Sequence, residues 1–214
     1  MEGRTFEIPA PPVQITADLV VPPEAAGLVI FAHGSGSSRL SPRNRQVAST
    51  LNESRLATLL LDLLRVEEEL DRANVFDVAL LSSRLVAATR WAQTHEETRG
   101  LPVGYFGAST GAAAALCAAA ILGDAIGAVV SRGGRPDMAE DCLERVSAPT
   151  LLIVGGADDT VLALNEEAAG RLRAPHQVEV VPGATHLFEE PGALERVAEL
   201  AAAWFEEWLL AARR

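Results

Sequence analysis

The sequence predicts an α/β fold on a mostly parallel sheet, and three observations predict it. Short apolar runs alternate with longer stretches of helical periodicity along the chain. The runs end in Gly, Ser, Asp or His, the residues of loops rather than of continuing strands. No repeat and no low-complexity linker interrupts the alternation, so 214 residues, against ~150 for an average domain, read as a single domain spanning residues 1–214.

Taken in order, Val13, Ile15, Ala17, Leu19 and Val21 alternate with mostly polar neighbours and predict a half-buried strand. Leu28–Ala32 is a continuous apolar run ending at His33-Gly34, which suits a strand covered on both faces. Ser41-Pro42 supplies an N-cap and a proline for the first helical position, and a helix is expected to about Ser54. Thr58–Leu61 is the next buried strand. Val78, Leu81, Leu85, Ala88 and Trp91 keep helical spacing within a helix read from Val75 to about Thr94. Val103–Phe106 is a strand and Thr110–Leu122 an alanine-rich helix, compact enough to lie close to a sheet. Ala125–Val130, Thr150–Val154 and Val178–Val181 complete the strands. Helices are read at about Met138 to Val146, Leu164 to Leu172 and Pro191 to Leu210.

Charge and composition exclude several functions. The formal net charge is -11, the wrong sign for a polyanion, so nucleic acid is not expected as a partner. All 18 basic residues are arginine, which removes any Schiff-base or P-loop lysine. The longest uncharged apolar run, Gly111 to Gly123, falls short of the roughly 18 residues of a membrane span. Met1 to Pro12 has no apolar h-region. Two cysteines, Cys117 and Cys142, are too few for a disulfide framework. They suit a reducing compartment, with Cys117 read as a small buried hydrophobe. Four histidines without a Cys/His cluster predict no metal site. The expectation is a cytoplasmic protein, monomeric or a small homo-oligomer, that meets neither membrane nor nucleic acid.

In parallel sheets ligands bind beyond the carboxyl ends of the strands, so the residues after each strand form one rim. That rim carries His33-Gly34-Ser35-Gly36, Asp62, Gly107-Ala108-Ser109-Thr110-Gly111, Ser131-Arg132-Gly133-Gly134-Arg135, Gly155-Gly156-Ala157-Asp158-Asp159 and Gly183-Ala184-Thr185-His186. Gly107-x-Ser109-x-Gly111, between a strand and a helix, matches a nucleophile elbow. Ser109 needs a base and the base an orienting acid. Ser109, Asp158 and His186 follow the chain order this architecture uses. Asp158 is favoured over Asp159 by the spacing Gly155-x-x-Asp158-x-x-Val161. His95 lies in a charged helix end, His176 just precedes a strand, and His33 belongs to the first loop. An oxyanion needs two prearranged donors. One is read as the N–H of Thr110 and the other as that of Ser35, in preference to Gly34. A phosphate-cradling reading of the first loop fails for lack of G-x-G-x-x-G and of a lysine.

With these residues assembled, the chain resembles the dienelactone-hydrolase-like branch of the α/β-hydrolase superfamily, from about Leu28 to the closing helix. The resemblance implies an eight-stranded, mostly parallel sheet and hydrolysis of esters or lactones without metal or organic cofactor. Dienelactone hydrolases carry cysteine at the elbow, whereas this sequence has Ser109, which points to a serine esterase. No insertion is large enough for a separate lid domain.

Gly34, Arg132 and Arg135 are the candidates for substrate contact. Paired arginines suit bidentate recognition of a carboxylate or phosphate, and hence an anionic acyl substrate. The alternative pairs Arg132, Arg135, Arg39, Arg43 and Arg45 with helix beginnings or with Asp137, Asp141 or Glu67–Glu69. Hydrolysis of small esters, thioester hydrolysis or acyl transfer on the same triad, and ligand binding without catalysis are the functions compatible with the sequence.

Overall fold

The structure, a computed structural model, describes residues 3–210. Its sheet is built from β1 (Arg4–Ala10), β2 (Val13–Val20), β3 (Gly27–Ala32), β4 (Leu56–Leu61), β5 (Val103–Ala108), β6 (Ile126–Arg132), β7 (Thr150–Gly155) and β8 (His176–Val181). They lie in the order β1-β2-β4-β3-β5-β6-β7-β8. β1–β2 and β2–β4 pair antiparallel, and every pair from β4 to β8 is parallel. The continuous apolar runs occupy the parallel centre: every residue of β3, β4, β5 and β7 is buried. The alternating run of β2 lies toward the edge, with Ile15, Ala17 and Leu19 turned inward.

β1 is a strand that the sequence reading does not contain. Phe6, Ile8 and Ala10 alternate there as in β2, and the two form a hairpin with Ile8 opposite Ile15 and Ala10 opposite Val13.

The helices are α1 (Pro42–Glu53), α2 (Val66–Glu69), α3 (Arg72–Phe76), α4 (Val78–Thr94), α5 (Thr110–Leu122), α6 (Glu140–Leu143), α7 (Asp159–Ala169) and α8 (Ala193–Phe205). Ser41 caps α1 by accepting the Asn44 N–H at 3.3 Å, and α5 has the bounds read from sequence. The helix read from Val75 is broken. Asp77 ends α3 and caps α4, its carboxylate accepting the Leu80 N–H at 2.9 Å. The segment before β7 is a 3₁₀ turn, Pro136–Ala139, followed by one turn of α6. α7 begins at Asp159, earlier than its apolar spacing indicates.

α1 and α8 pack on one face of the sheet with Val29, Phe31, Phe106 and Val130. α4 and α5 cover the other, over Leu28, Ile30, Tyr105 and Val129. Among the described residues no helix is long and apolar enough to cross a membrane.

The cysteine expectation is corrected. Cys117 of α5 and Cys142 of α6 form a disulfide with Cα atoms 5.1 Å apart, so neither is a free thiol and the argument for a reducing compartment loses its basis. Cys117 is nevertheless buried, 7% exposed, as a small apolar residue would be.

Chain direction in the sheet explains where the site forms. From β3 the chain steps to β4 on one side, then returns to place β5 on the other. The loops leaving adjacent β3 and β5 therefore diverge, opening a crevice at the carboxyl ends of the strands.

Candidate active site

Ser109 stands at the end of β5 with φ 51° and ψ −121°, a conformation costly for any residue with a Cβ. The surrounding backbone holds it there. Its N–H donates to the Arg132 carbonyl at 3.2 Å, and its own carbonyl accepts the N–H groups of Ala112 and Arg135, each at 3.1 Å. The flanking glycines of the elbow are required by close approach. A Cβ on Gly107 would lie 2.5 Å from Ala112 Cα, and one on Gly111 2.2 Å from the Ala32 carbonyl oxygen. The helix therefore seats directly on the ends of β3 and β5.

The first loop touches Ser109. A Cβ on Gly34 would stand 2.9 Å from Ser109 Cβ and 3.7 Å from its Oγ. His33 arranges this loop, a role its position in the sequence does not reveal. Its Nε2 accepts the Leu63 N–H at 3.0 Å, so Nδ1 carries the hydrogen and donates it to the Gly34 carbonyl at 2.9 Å. Burial pushes the His33 pKa down, against smaller opposing effects from Gly34, Asp62 and Glu69, which keeps the ring neutral. In a trans peptide the C=O and N–H point to opposite sides. A Gly34 carbonyl held by His33 and by the Ser37 N–H (3.2 Å) turns the Ser35 N–H the other way. Among the described residues neither the Ser35 N–H nor that of Thr110, at the start of α5, has an intramolecular acceptor. Both are free to receive an anionic oxygen.

The strand-end loops bring Asp158 and His186 together. Gly156 N–H donates to the Val181 carbonyl at 2.8 Å and Ala157 N–H to the Ala184 carbonyl at 2.9 Å, tying the loop after β7 to the loop after β8. Across that junction His186 Nδ1 and Asp158 Oδ2 are 2.7 Å apart. Asp158 is thus the partner, while Asp159 opens α7. The Ser109 hydroxyl makes no hydrogen bond among the described residues, and the Arg132-Gly133 segment lies between its backbone and His186. The residue before Gly133 accepts the Ser109 N–H, and a Cβ on Gly133 would lie 3.5 Å from His186 Cε1.

The arginines divide. Arg135 is engaged by Asp137 through Nε at 2.9 Å and Nη2 at 2.7 Å, the pairing that sequence offered as the alternative to substrate binding. This bond holds the Asp137 carboxyl below its usual range and raises Arg135. Arg39 binds Asp62 and Asp18, Arg45 binds Asp18, and Arg43 binds Glu189. Arg132 is different. It is 8% exposed, lies over the Phe188 ring at 5.7 Å, and its Nε and Nη1 are buried without a hydrogen-bond partner. Burial, with Arg43 nearby, lowers its pKa to about 10.

A small chamber adjoins Ser35 and Thr110. It has a volume of about 140 Å³ and is bordered by Ser35 and Thr110 together with Leu64, Val75, Leu81 and Glu69. Arg132 and Arg135 do not border it. Its far wall comes from α3 and the segment around α2, which contribute nothing to the sequence signature.

Known proteins place this geometry. The model of the dienelactone hydrolase family matches residues 66–211. Two strains of Mycobacterium tuberculosis carry a relative, provisionally named a phosphoribosyl transferase, that is 59% identical over 209 residues. The match covers 98% of this chain and 47% of the relative, so the chain spans about half the length of the curated relatives it matches. A crystal structure of a dienelactone hydrolase from Anabaena variabilis is 52% identical, with a TM-score of 0.93, 98% of this chain and 100% of the other being covered. Est1E from Butyrivibrio proteoclasticus, 19% identical over 95% of this chain and 98% of its own, shares the fold at a TM-score of 0.82. The match of the family model and the likeness to the Anabaena protein along nearly the whole chain agree with the elbow and the strand order: the chain belongs to the dienelactone hydrolase family of α/β hydrolases.

Proposed function

We propose that the chain is a serine hydrolase of small carboxylic esters or lactones. Ser109 attacks the carbonyl carbon and His186 takes its proton. Asp158 holds the imidazole, and the Ser35 and Thr110 N–H groups receive the developing oxyanion. The observation that carries this reading is the 2.7 Å His186–Asp158 pair on the rim that presents Ser109 at a strained elbow. With Nδ1–H engaged by Asp158, the Nε2 lone pair is left for the serine proton. An acyl-enzyme forms as the alcohol leaves with a proton from His186, and water then releases the acid by the reverse roles. The transferase name of the mycobacterial relatives describes proteins about twice as long, and the proposal is confined to the half this chain covers.

Labelling by a fluorophosphonate probe tests it. The wild type should label, and Ser109→Ala and His186→Ala should not, with all three folded by circular dichroism. A folded wild type that fails to label, and that hydrolyses no short ester, refutes the reading.

A further inference from the structure

The chamber beside the oxyanion donors has a side, and the chemistry of ester cleavage says which. With the carbonyl oxygen between the Ser35 and Thr110 N–H groups, the carbonyl carbon carries two substituents. The leaving alcohol must lie toward His186, which protonates it. The acyl group therefore lies away from His186. The chamber is bordered by Ser35 and Thr110 but by neither His186 nor Asp158, so it lies on the acyl side.

Its size and walls define what fits. A volume of only about 140 Å³ suits a short acyl chain rather than a long one. Leu64 and Leu81 are buried and apolar, and Val75 of α3 is half-buried. The one carboxylate bordering it, Glu69, is exposed and so stands at the mouth. The wall is pinned rather than loose. Arg84, 3% exposed in α4, reaches Glu68 of α2 at 2.8 Å and also binds the Ala10 carbonyl, while Asn74 Nδ2 donates to the Glu68 carbonyl at 2.9 Å.

We propose that this chamber is the acyl-binding subsite, built for a short, uncharged acyl chain, with Glu69 turning away acyl groups that end in a carboxylate. The inference rests on the serine-hydrolase reading and makes it specific. It also opposes the anionic substrate that the rim arginines suggest from sequence, since the carboxylate at the mouth has the opposite sign.

The test measures kcat/KM for p-nitrophenyl acetate, butyrate, octanoate and hemisuccinate on the wild type, Val75→Phe and Glu69→Gln, with fluorophosphonate labelling in parallel. Burial at ~0.8 kcal/mol per methylene corresponds to about fourfold each. Wild type should therefore favour butyrate over acetate by about 15-fold, and octanoate should fall at least tenfold below butyrate. Val75→Phe, at a half-buried position that tolerates bulk, should bring the butyrate-to-acetate ratio to about one while still labelling. Glu69→Gln should raise the hemisuccinate-to-butyrate ratio at least threefold. A butyrate-to-acetate ratio near one in the wild type, or one unchanged by Val75→Phe, overturns the subsite while a labelled Ser109 preserves the hydrolase. A hemisuccinate ratio indifferent to Glu69→Gln overturns the charge selection. Absence of labelling and of activity in the wild type overturns both readings.

Discussion

Replacing Arg132 with methionine is expected to make the fold more stable, which is unusual for a buried residue. The guanidinium is 8% exposed, has two nitrogens without acceptors, and faces Arg43 rather than a carboxylate. Burial first, and the Arg43 charge second, bring its pKa from the ordinary arginine value down to about 10. At ~1.36 kcal/mol per pKa unit, holding it charged at neutral pH costs about 3 kcal/mol. Against this stands its attraction to the Phe188 ring, 5.7 Å away, an interaction of roughly 0.5 to 2 kcal/mol. Methionine keeps an apolar stem over the ring and removes the charge, so the net gain is about 1 to 2.5 kcal/mol. For a chain of this size that raises Tm by roughly 4 °C.

The sign with pH follows from the direction of the shift. A lowered folded-state pKa means the fold binds the proton less well than the unfolded chain does. The cost is therefore fully present below about pH 10 and is relieved as pH rises through that value. Urea unfolding of both proteins between pH 6 and 10.5 should show a constant gap up to about pH 9 that narrows above it. A methionine variant less stable than the wild type across this range would refute the reasoning, because the guanidinium would then have a compensating partner in solution.

Three further outcomes can be checked. His33→Leu should lower kcat about 10- to 100-fold, with a smaller change in KM, because the Gly34 carbonyl and the Leu63 N–H lose their shared partner. Since burial lowers the His33 pKa, its contribution to stability is complete above pH 6.5 and declines as pH falls toward the depressed value. The variant should lack that decline, and an identical acid limb in denaturation curves would count against it. Gly34→Ala places a methyl 2.9 Å from Ser109 Cβ and 3.1 Å from the Ala108 carbonyl oxygen, and should slow fluorophosphonate labelling at least 100-fold and lower Tm while the protein stays folded; normal labelling would show that the loop gives way. Cys142→Ser opens a covalent loop with a sequence separation of 25 and should cost about 3 kcal/mol, read as a lower urea midpoint that dithiothreitol reproduces in the wild type; equal midpoints would mean that the link adds nothing.

Legibility in the sequence followed locality. The central strands are continuous apolar runs buried on both faces, and α5 starts at the elbow and ends before Gly123, so both announce themselves residue by residue. Asp158 and His186 could be paired because a rim shared by all strand ends reduces three dimensions to a chain order. β1 escaped because Phe6 and Ile8 alternate among charges and prolines and gain meaning only from their register with β2. The break at Asp77 escaped because apolar spacing continues across it, whereas the capping carboxylate is what sets the start of α4. Neither the Cys117–Cys142 link nor the chamber could be read at all. Each is assembled by residues whose adjacency depends on how α3, α4, α5 and α6 come to lie over the sheet.

The contact of Gly111 with the Ala32 carbonyl has a consequence for how such a protein can change over time. Backbone lies on backbone there, so no rotamer change can loosen the Ser109 elbow from the end of β3. The chamber's outer wall is made of side chains on short helices held by Arg84. Chemistry and selectivity thus occupy materials of different plasticity. On the serine-hydrolase reading, substitutions in the wall retune the acyl group accepted while the elbow is inherited intact.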